Sequence, residues 1–136
     1  MIQDTFDIQS SLLDELKKDS SFLLALKVED VNDTTLLSKK ISLQMLNMEL
    51  FDTNNVPLVS IYIPGADITD NFLINRAILR IESYTTNRIQ AKALVKAIKN
   101  IVRNKFELRI ISEGEQPCDI KNIYKYQLEY LPMIWS

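Results

Sequence analysis

The chain has 136 residues, of which 46% are apolar and 25% charged, and its net charge is −2. This length predicts a single domain, residues 1–136, which buries roughly 68% of its unfolded surface without disulfides or a metal. The absence of histidine removes the commonest general base and metal ligand, and the single cysteine rules out an intrachain disulfide. No apolar stretch approaches the roughly 20 residues of a membrane span, and the acidic start is unlike a secretory signal. We therefore expect the chain to stay in the cytosol or in something assembled there.

The first part of the chain predicts an amphipathic helix. Gln3–Lys18 has helical spacing, with Phe6, Leu13 and Leu16 in one apolar stripe and Leu12 beside it. Acidic residues near its start and lysines at its end suit the helix dipole. This stretch is therefore expected to pack one face against the rest of the domain.

A second helical piece is predicted directly after the first. Asp19 ends the first helix and can cap the next, and the short apolar run Phe22–Lys27 predicts one or two further turns. Val28–Thr35 is an acidic connector in which Asn32 and Asp33 are turn or capping residues.

The middle of the chain predicts a change from helix to strand. The apolar residues of Leu36–Asp52 fit helical spacing at the start and strand alternation at the end, so we expect a short helical start and an extended end. Pro57 then opens a β-rich run, Leu58–Ile63. The polar stretch Ala66–Asn75 is predicted to be a loop.

The second half begins with a strand that runs into a long helix. Apolar and polar residues alternate in Arg76–Thr86, which predicts an antiparallel strand with one buried face and one solvated face. Asn87 can cap the following helix, and Gln90 completes a pattern like a capping box. In the helix Arg88–Lys105, the predicted buried stripe consists of Ala91, Leu94, Val95, Ile98, Ile101 and Val102.

Two more alternating runs close the chain. Phe106–Ile111 and Ile123–Leu131 predict strands, separated by a loop over Glu113–Asp119. The elements together predict an α+β fold: a twisted, mainly antiparallel sheet of about four strands, with one long helix packed across it and N-terminal helices at the side. Within the single domain, an N-terminal helical segment (1–35) precedes a sheet-and-helix body (36–136).

Charge is distributed unevenly along the chain. Residues 1–35 carry eight acidic and three basic side chains, a local charge of −5, whereas residues 88–105 carry six basic side chains and no acidic one. Five of the six recur every three or four residues and form one stripe: Arg88, Lys92, Lys96, Lys99 and Arg103. This stripe is a solvated helix face, a surface for an acidic protein partner or a site for nucleic-acid phosphates, and the sequence leaves the three interpretations open.

No group of residues forms a recognisable reaction centre. Cys118 lies in a loop without a candidate base beside it, and Asp67 and Asp70 are the only close carboxylates near a strand end. Glu82 and Glu107 lie on different strands, as in metal-dependent nucleases, but no lysine follows at the offset that such sites use. We therefore expect a protein without catalysis, cofactor or metal.

The order of elements resembles that of the tail-terminator and tail-completion proteins of long-tailed bacteriophages, also called tail-to-head joining proteins. In that family a short pair of helices precedes a strand like the one that begins at Pro57 here, Pro-Leu-Val-Ser-Ile-Tyr-Ile. A second strand then runs straight into an amphipathic helix, as Leu79-Arg-Ile-Glu-Ser-Tyr-Thr-Thr-Asn-Arg does here. The resemblance covers nearly the full length, apart from residues 33–56 and 64–75.

The resemblance implies a structural role in the virion neck. Such proteins form rings, commonly hexamers, that end the tail tube and join it to the head connector while DNA passes through without sequence-specific binding. A ring requires one patch to bind a different patch on the next subunit. The expected patches are the basic stripe and the acidic N-terminal region, which carries Asp4, Asp7, Asp14 and Glu15. The alternative is a cytosolic, non-enzymatic adaptor or protein-interaction domain unrelated to phage.

Overall fold

The computed structural model describes residues 5–29, 32–44, 46, 51, 53–63, 78–118 and 120–132. In chain order, its elements are α1 (Thr5–Lys18), α2 (Ser20–Ala25), α3 (Thr34–Lys40), β1 (Ile41–Ser42), β2 (Leu58–Tyr62), β3 (Leu79–Thr85), α4 (Arg88–Lys105), β4 (Leu108–Gln116) and β5 (Tyr124–Pro132). A single 3-10 turn, Thr53–Asn55, precedes β2. The predicted loop Ala66–Asn75 and most of the predicted extended end of Leu36–Asp52 lie outside the described residues.

The strands form one mixed sheet in the order β1-β2-β3-β5-β4. β1 pairs with β2 in parallel, and the other three pairings are antiparallel. The predicted α+β fold with a long helix across a mainly antiparallel sheet is confirmed. The sheet has five strands among the described residues, where about four were predicted. The additional strand, β1, has only two residues and is too short to show an alternating pattern in the sequence.

The strand order determines which strand lies at the edge beside the long helix. β5 lies between β3 and β4 and is antiparallel to both, so β3 and β4 run parallel. α4 connects these two parallel strands and packs against β3 and β5 on the way. β4 is therefore an edge strand beyond the strip of sheet that α4 covers.

Local interactions explain why α4 begins where it does. The side-chain oxygen of Asn87 accepts a hydrogen bond from the backbone N–H of Gln90 at 2.9 Å, and Gln90 Oε1 accepts one from the N–H of Thr86 at 3.1 Å. These bonds satisfy amide groups that the first helical turn leaves without partners. All six residues of the predicted apolar stripe are buried, so the predicted cap and stripe are both confirmed.

The N-terminal helices begin at the predicted caps. Asp19 accepts a hydrogen bond from the N–H of Phe22 at 2.8 Å at the start of α2, and Asp33 caps α3 in the same way. The stripe predicted for α1 was wrong in detail, since Leu12 is fully buried whereas Leu13 is half-buried. The buried row is Ile8, Leu12 and Leu16, because residues four apart share one side of a helix.

The predicted loop Glu113–Asp119 was wrong over its first four residues. β4 continues to Gln116 as one arm of a hairpin, in which Gly114 pairs with Gln127 of β5. Ladder hydrogen bonds with β5 hold this glycine in a strand although its intrinsic preference is for turns. A register shift between Ile110 and Ser112 leaves Ile111 as the extra residue of a bulge.

Candidate interaction surface beside the long helix

The helix side of the sheet is covered unevenly. The amide of Gln9 in α1 donates to the backbone carbonyls of Leu43, at 2.7 Å, and Ile61, at 2.5 Å, which ties α1 to the side of the sheet near β1 and β2. α1 and α2 contact α4, which lies over β3 and β5. The sheet contacts of α4 are to β3 and β5, and Ile110 of β4 is exposed, so this layer ends before the edge at β4.

A groove of about 990 Å³ lies where the helix layer ends, and we call it the α4 groove. Its helix wall is formed by one flank of α4, with Arg88, Ile89, Lys92, Val95, Lys96, Lys99, Val102 and Arg103. Its floor is formed by side chains of β4, β5 and the residue that follows α4: Phe106, Leu108, Ile110, Tyr124, Tyr126 and Tyr130. Ile110 is exposed, Tyr130 is buried and the other four are half-buried. The groove thus combines a cationic wall with an apolar and aromatic floor.

All five residues of the predicted basic stripe line the groove. Lys99 forms an ion pair with Glu113, whereas the ion pairs among the described residues include none of the other four. Those four side chains, Arg88, Lys92, Lys96 and Arg103, are all exposed. The stripe therefore presents several cations whose charge is not neutralised by a described carboxylate.

The acidic residues predicted to pair with this stripe do not line the groove. Asp14 is exposed and Glu15 is half-buried on α1, and neither contributes to the groove surface. Asp4 and the side chain of Asp7 lie outside the described residues. Pairing between these residues and the stripe of a neighbouring subunit stays a prediction.

Glu113 links the two sides of the groove, and sequence reasoning missed it. Its Oε2 accepts a hydrogen bond from Lys99 Nζ at 2.7 Å, and its Oε1 accepts one from the hydroxyl of Tyr126 at 3.2 Å. The hydrogen bond from Lys99 lowers the pKa of the Glu113 carboxyl below its usual value. Neighbouring Gly114 and Pro117 suggested a loop, and only the pairing of Glu113 with Leu128 across the hairpin shows that Glu113 lies on a strand beside α4.

The hydroxyl groups of the floor tyrosines have raised pKa values, because of burial and of acidic neighbours. Partial burial, with a hydrogen bond to Glu115, raises the pKa of Tyr124 to about 12, and burial raises that of Tyr130 to about 12. Burial together with Glu113 raises the pKa of Tyr126. These hydroxyls therefore stay neutral donors at physiological pH, and the β4 side of the groove carries the negative charge of Glu113 and Glu115.

The opposite face of the sheet holds a second cluster of polar side chains. Glu82 is 2% exposed, and its carboxylate accepts hydrogen bonds from the hydroxyls of Tyr62, at 2.9 Å, and Tyr84, at 3.1 Å. Lys125 Nζ lies 3.0 Å from the other carboxylate oxygen. Burial and the neighbouring Glu82 raise the pKa of Tyr84. This cluster is enclosed, and each of its charged groups has a partner.

The prediction that this face of β3 is solvated was therefore wrong. Glu82 and Tyr84 are buried because neighbouring strands supply Tyr62 and Lys125, and the ring of Phe51 lies 5.3 Å from that of Tyr84. Beside the cluster, Arg80 forms an ion pair with Glu129 at 3.0 Å.

Among the described residues, no group of three or more histidine, cysteine, aspartate or glutamate side chains could hold a metal ion.

No protein-family model matches the sequence, and no curated protein matches it significantly. Within the described ranges, no helix is long and apolar enough to cross a lipid bilayer.

Proposed function

We propose that this protein is a structural component of the neck of a long-tailed bacteriophage. Copies of the chain form a ring, commonly a hexamer in the family that it resembles, which ends the tail tube and joins it to the head connector. DNA passes through the ring without sequence-specific binding, and the protein acts by contact without catalysis. Its place is the virion, after synthesis in the cytoplasm of the bacterial host.

The observation that carries this proposal is the order of elements around an exposed cationic helix flank. A helix pair, a strand that follows Pro57 and a strand that runs directly into α4 agree with the layout of tail-completion proteins. Arg88, Lys92 and Lys96 form a row of like charges four residues apart on α4, and such charges repel one another in the monomer. A surface that lowers the stability of the monomer is expected to bind oppositely charged groups in an assembly.

A ring also needs two different contact patches on each subunit. The α4 groove supplies one patch, and the acidic N-terminal region is the proposed counterpart on the next subunit. The outer edge of β4, nine residues long and largely exposed, pairs with no other described strand and so offers backbone groups for a further contact. Because the two patches carry opposite charges, binding of one patch to the other is favoured over contacts between two copies of the same patch.

Charge reversal within the groove tests the proposal directly. The triple variant Lys92→Glu, Lys96→Glu, Lys99→Glu is expected to abolish the ring, as measured by native mass spectrometry and by electron microscopy of the protein with purified tail tubes. The matched control is Lys39→Glu, Lys105→Glu, Lys121→Glu, which changes the net charge equally at exposed lysines outside the groove lining and the acidic N-terminal region. An unchanged ring in the groove variant would reject the proposed contact, and genes for unrelated enzymes on both sides of this gene would argue against the phage assignment.

The alternative is a cytosolic adaptor or protein-interaction domain unrelated to phage. The α4 groove favours it as well, because an open surface with an apolar floor and charged walls fits a segment of another protein. Light scattering at increasing concentration, with and without tail tubes, separates the two functions. A monomer or dimer under all conditions supports the adaptor, and a ring supports the neck protein.

A further inference from the structure

The α4 groove occupies the place where another helix would lie on this sheet. α1 covers the side near β1 and β2, α4 covers β3 and β5, and the surface beyond α4 ends at the edge strand β4. Its apolar side chains remain in contact with solvent: Ile89 is 82% exposed and Ile110 is 39% exposed. The cationic wall from Arg88 to Arg103 is about 22 Å long at 1.5 Å per residue, which is the length of four helical turns.

The charges of the two walls differ in sign. The α4 wall presents the exposed cations Lys92, Lys96 and Arg103. On the β4 side, the exposed carboxylates Glu113 and Glu115 lie beside the groove, where Glu113 is bonded to Lys99 and Tyr126 and Glu115 to Tyr124. A nucleic-acid backbone carries negative charge on all sides and would meet these carboxylates, and an anionic lipid surface would do the same. A helix can match both walls, because its two flanks can carry opposite charges on either side of one apolar stripe.

The ion pair that now spans the groove is suited to exchange. Lys99 Nζ and Glu113 Oε2 are 2.7 Å apart, and their side chains are 42% and 36% exposed. Exposed ion pairs contribute little to stability, so their separation is easily offset by new contacts. A carboxylate of an incoming helix would replace Glu113 at Lys99, and an ammonium group of the same helix would replace Lys99 at Glu113.

From this arrangement we infer that the α4 groove binds one amphipathic helix of another protein, with its apolar stripe on the floor, an acidic flank against α4 and a basic flank against β4. The occupant is about four turns long, to match the cationic wall. This binding mode follows from the groove of a single subunit and does not rest on the proposed ring, in which the acidic N-terminal region of the next subunit would compete with the helix for this groove. If no such helix binds, the mass of the assembly still decides whether the protein forms a ring.

A display library of helices of about 15 residues, or four turns, tests the inference with the full-length protein. Leucines are fixed at i, i+3, i+4, i+7 spacing, and every flank position is varied among glutamate, lysine and serine. We expect enriched binders to carry glutamates on one flank and lysines on the other. Enrichment of all-lysine or uncharged helices, or no enrichment, would overturn the inference.

Variants then locate the binding site of the enriched helix. Lys92→Glu, Lys96→Glu, Arg103→Glu is expected to weaken its Kd at least tenfold by fluorescence anisotropy, and Ile110→Ser is expected to weaken it severalfold. The control Lys39→Glu, Lys105→Glu, Lys121→Glu, at exposed lysines outside the groove lining, should bind as the wild type does, and circular dichroism checks the fold of every variant. Equal binding by groove and control variants, or displacement of the helix by a 20-nucleotide single strand at equal concentration, would contradict it.

Discussion

The two polar regions of the sheet differ in what surrounds their charges. On one face, Glu82 is buried and receives hydrogen bonds from two tyrosines and an ion pair from Lys125. On the helix face, Lys92 and Lys96 of the α4 groove are exposed and are not paired by described carboxylates. A buried charge persists only with partners, whereas an exposed row of like charges persists in spite of mutual repulsion. The first region therefore serves stability, and the second is available for binding.

The largest effect is expected from removing the buried carboxylate. Glu82→Ala leaves the hydroxyls of Tyr62 and Tyr84 and the ammonium group of Lys125 without their acceptor, so the free energy of unfolding should fall by about 3 kcal/mol. Urea unfolding followed by circular dichroism measures the change. Glu29→Ala, at an exposed carboxylate, should change it by less than about 0.5 kcal/mol. Equal effects of the two substitutions would show that the Glu82 cluster does not stabilise the fold.

A smaller loss of stability is expected from removing the Asn87 cap at the start of α4, the helix that forms the groove wall. Asn87→Ala removes the acceptor of the Gln90 N–H and should lower the free energy of unfolding by about 1 kcal/mol. The same substitution at Asn100, which is exposed in the interior of α4, should be neutral or slightly stabilising because alanine has the higher helix propensity. Comparison of the two urea midpoints separates the cap from the general effect of losing an asparagine.

The ion pair across the groove should contribute only a few tenths of a kcal/mol, as measured by a double-mutant cycle of Lys99→Ala and Glu113→Ala. Its pH dependence has a definite sign. The pKa of Glu113 is lowered in the folded state, so the contribution is fully present above the unfolded value near 4.5 and is lost as the pH falls through the lower folded value. The stability difference between wild type and Glu113→Gln should therefore shrink below about pH 4 and stay constant from pH 5 to 7. A difference that grows on acidification would contradict this ion pair.

The smallest effect tests whether the cations of the groove wall repel one another. Lys96→Glu replaces like-charge pairs with Lys92 and Lys99 by opposite-charge pairs, so it should raise the free energy of unfolding by a few tenths of a kcal/mol at low salt. The gain should disappear in 1 M salt, where the Debye length is about 3 Å. Lys17→Glu, in the last turn of α1, should lower stability instead, because it places a negative charge at a helix C-terminus. A loss of stability in Lys96→Glu would show that the row is already neutralised in the free protein.

Much of α4 and β5 was predictable, because the signals for these elements are local. The cap at Asn87, the apolar stripe of the helix and the alternation of tyrosines in β5 all depend on neighbours within one or two turns or along one strand. The five cations of the groove wall were predictable for the same reason, since residues three and four apart lie on one side of a helix.

The features that could not be predicted depend on distant partners. β1 is a strand only because Ile41 pairs with Val59, and β4 passes through Gly114 only because β5 pairs with it. The burial of Glu82 required Tyr62 and Lys125 from other strands, and the place of Glu113 beside Lys99 required the hairpin to fold next to α4.

The sequence by itself determined the α+β class, the helix caps and the row of positive charges on α4, because each follows from the spacing of nearby residues. Only the tertiary structure decided that this row faces an apolar floor and two carboxylates, and that the alternating charges of β3 are buried. The physical reason is that the strand order β3-β5-β4 brings together residues far apart in the chain, and the surroundings of a charge decide whether it stabilises the fold or remains available for a partner.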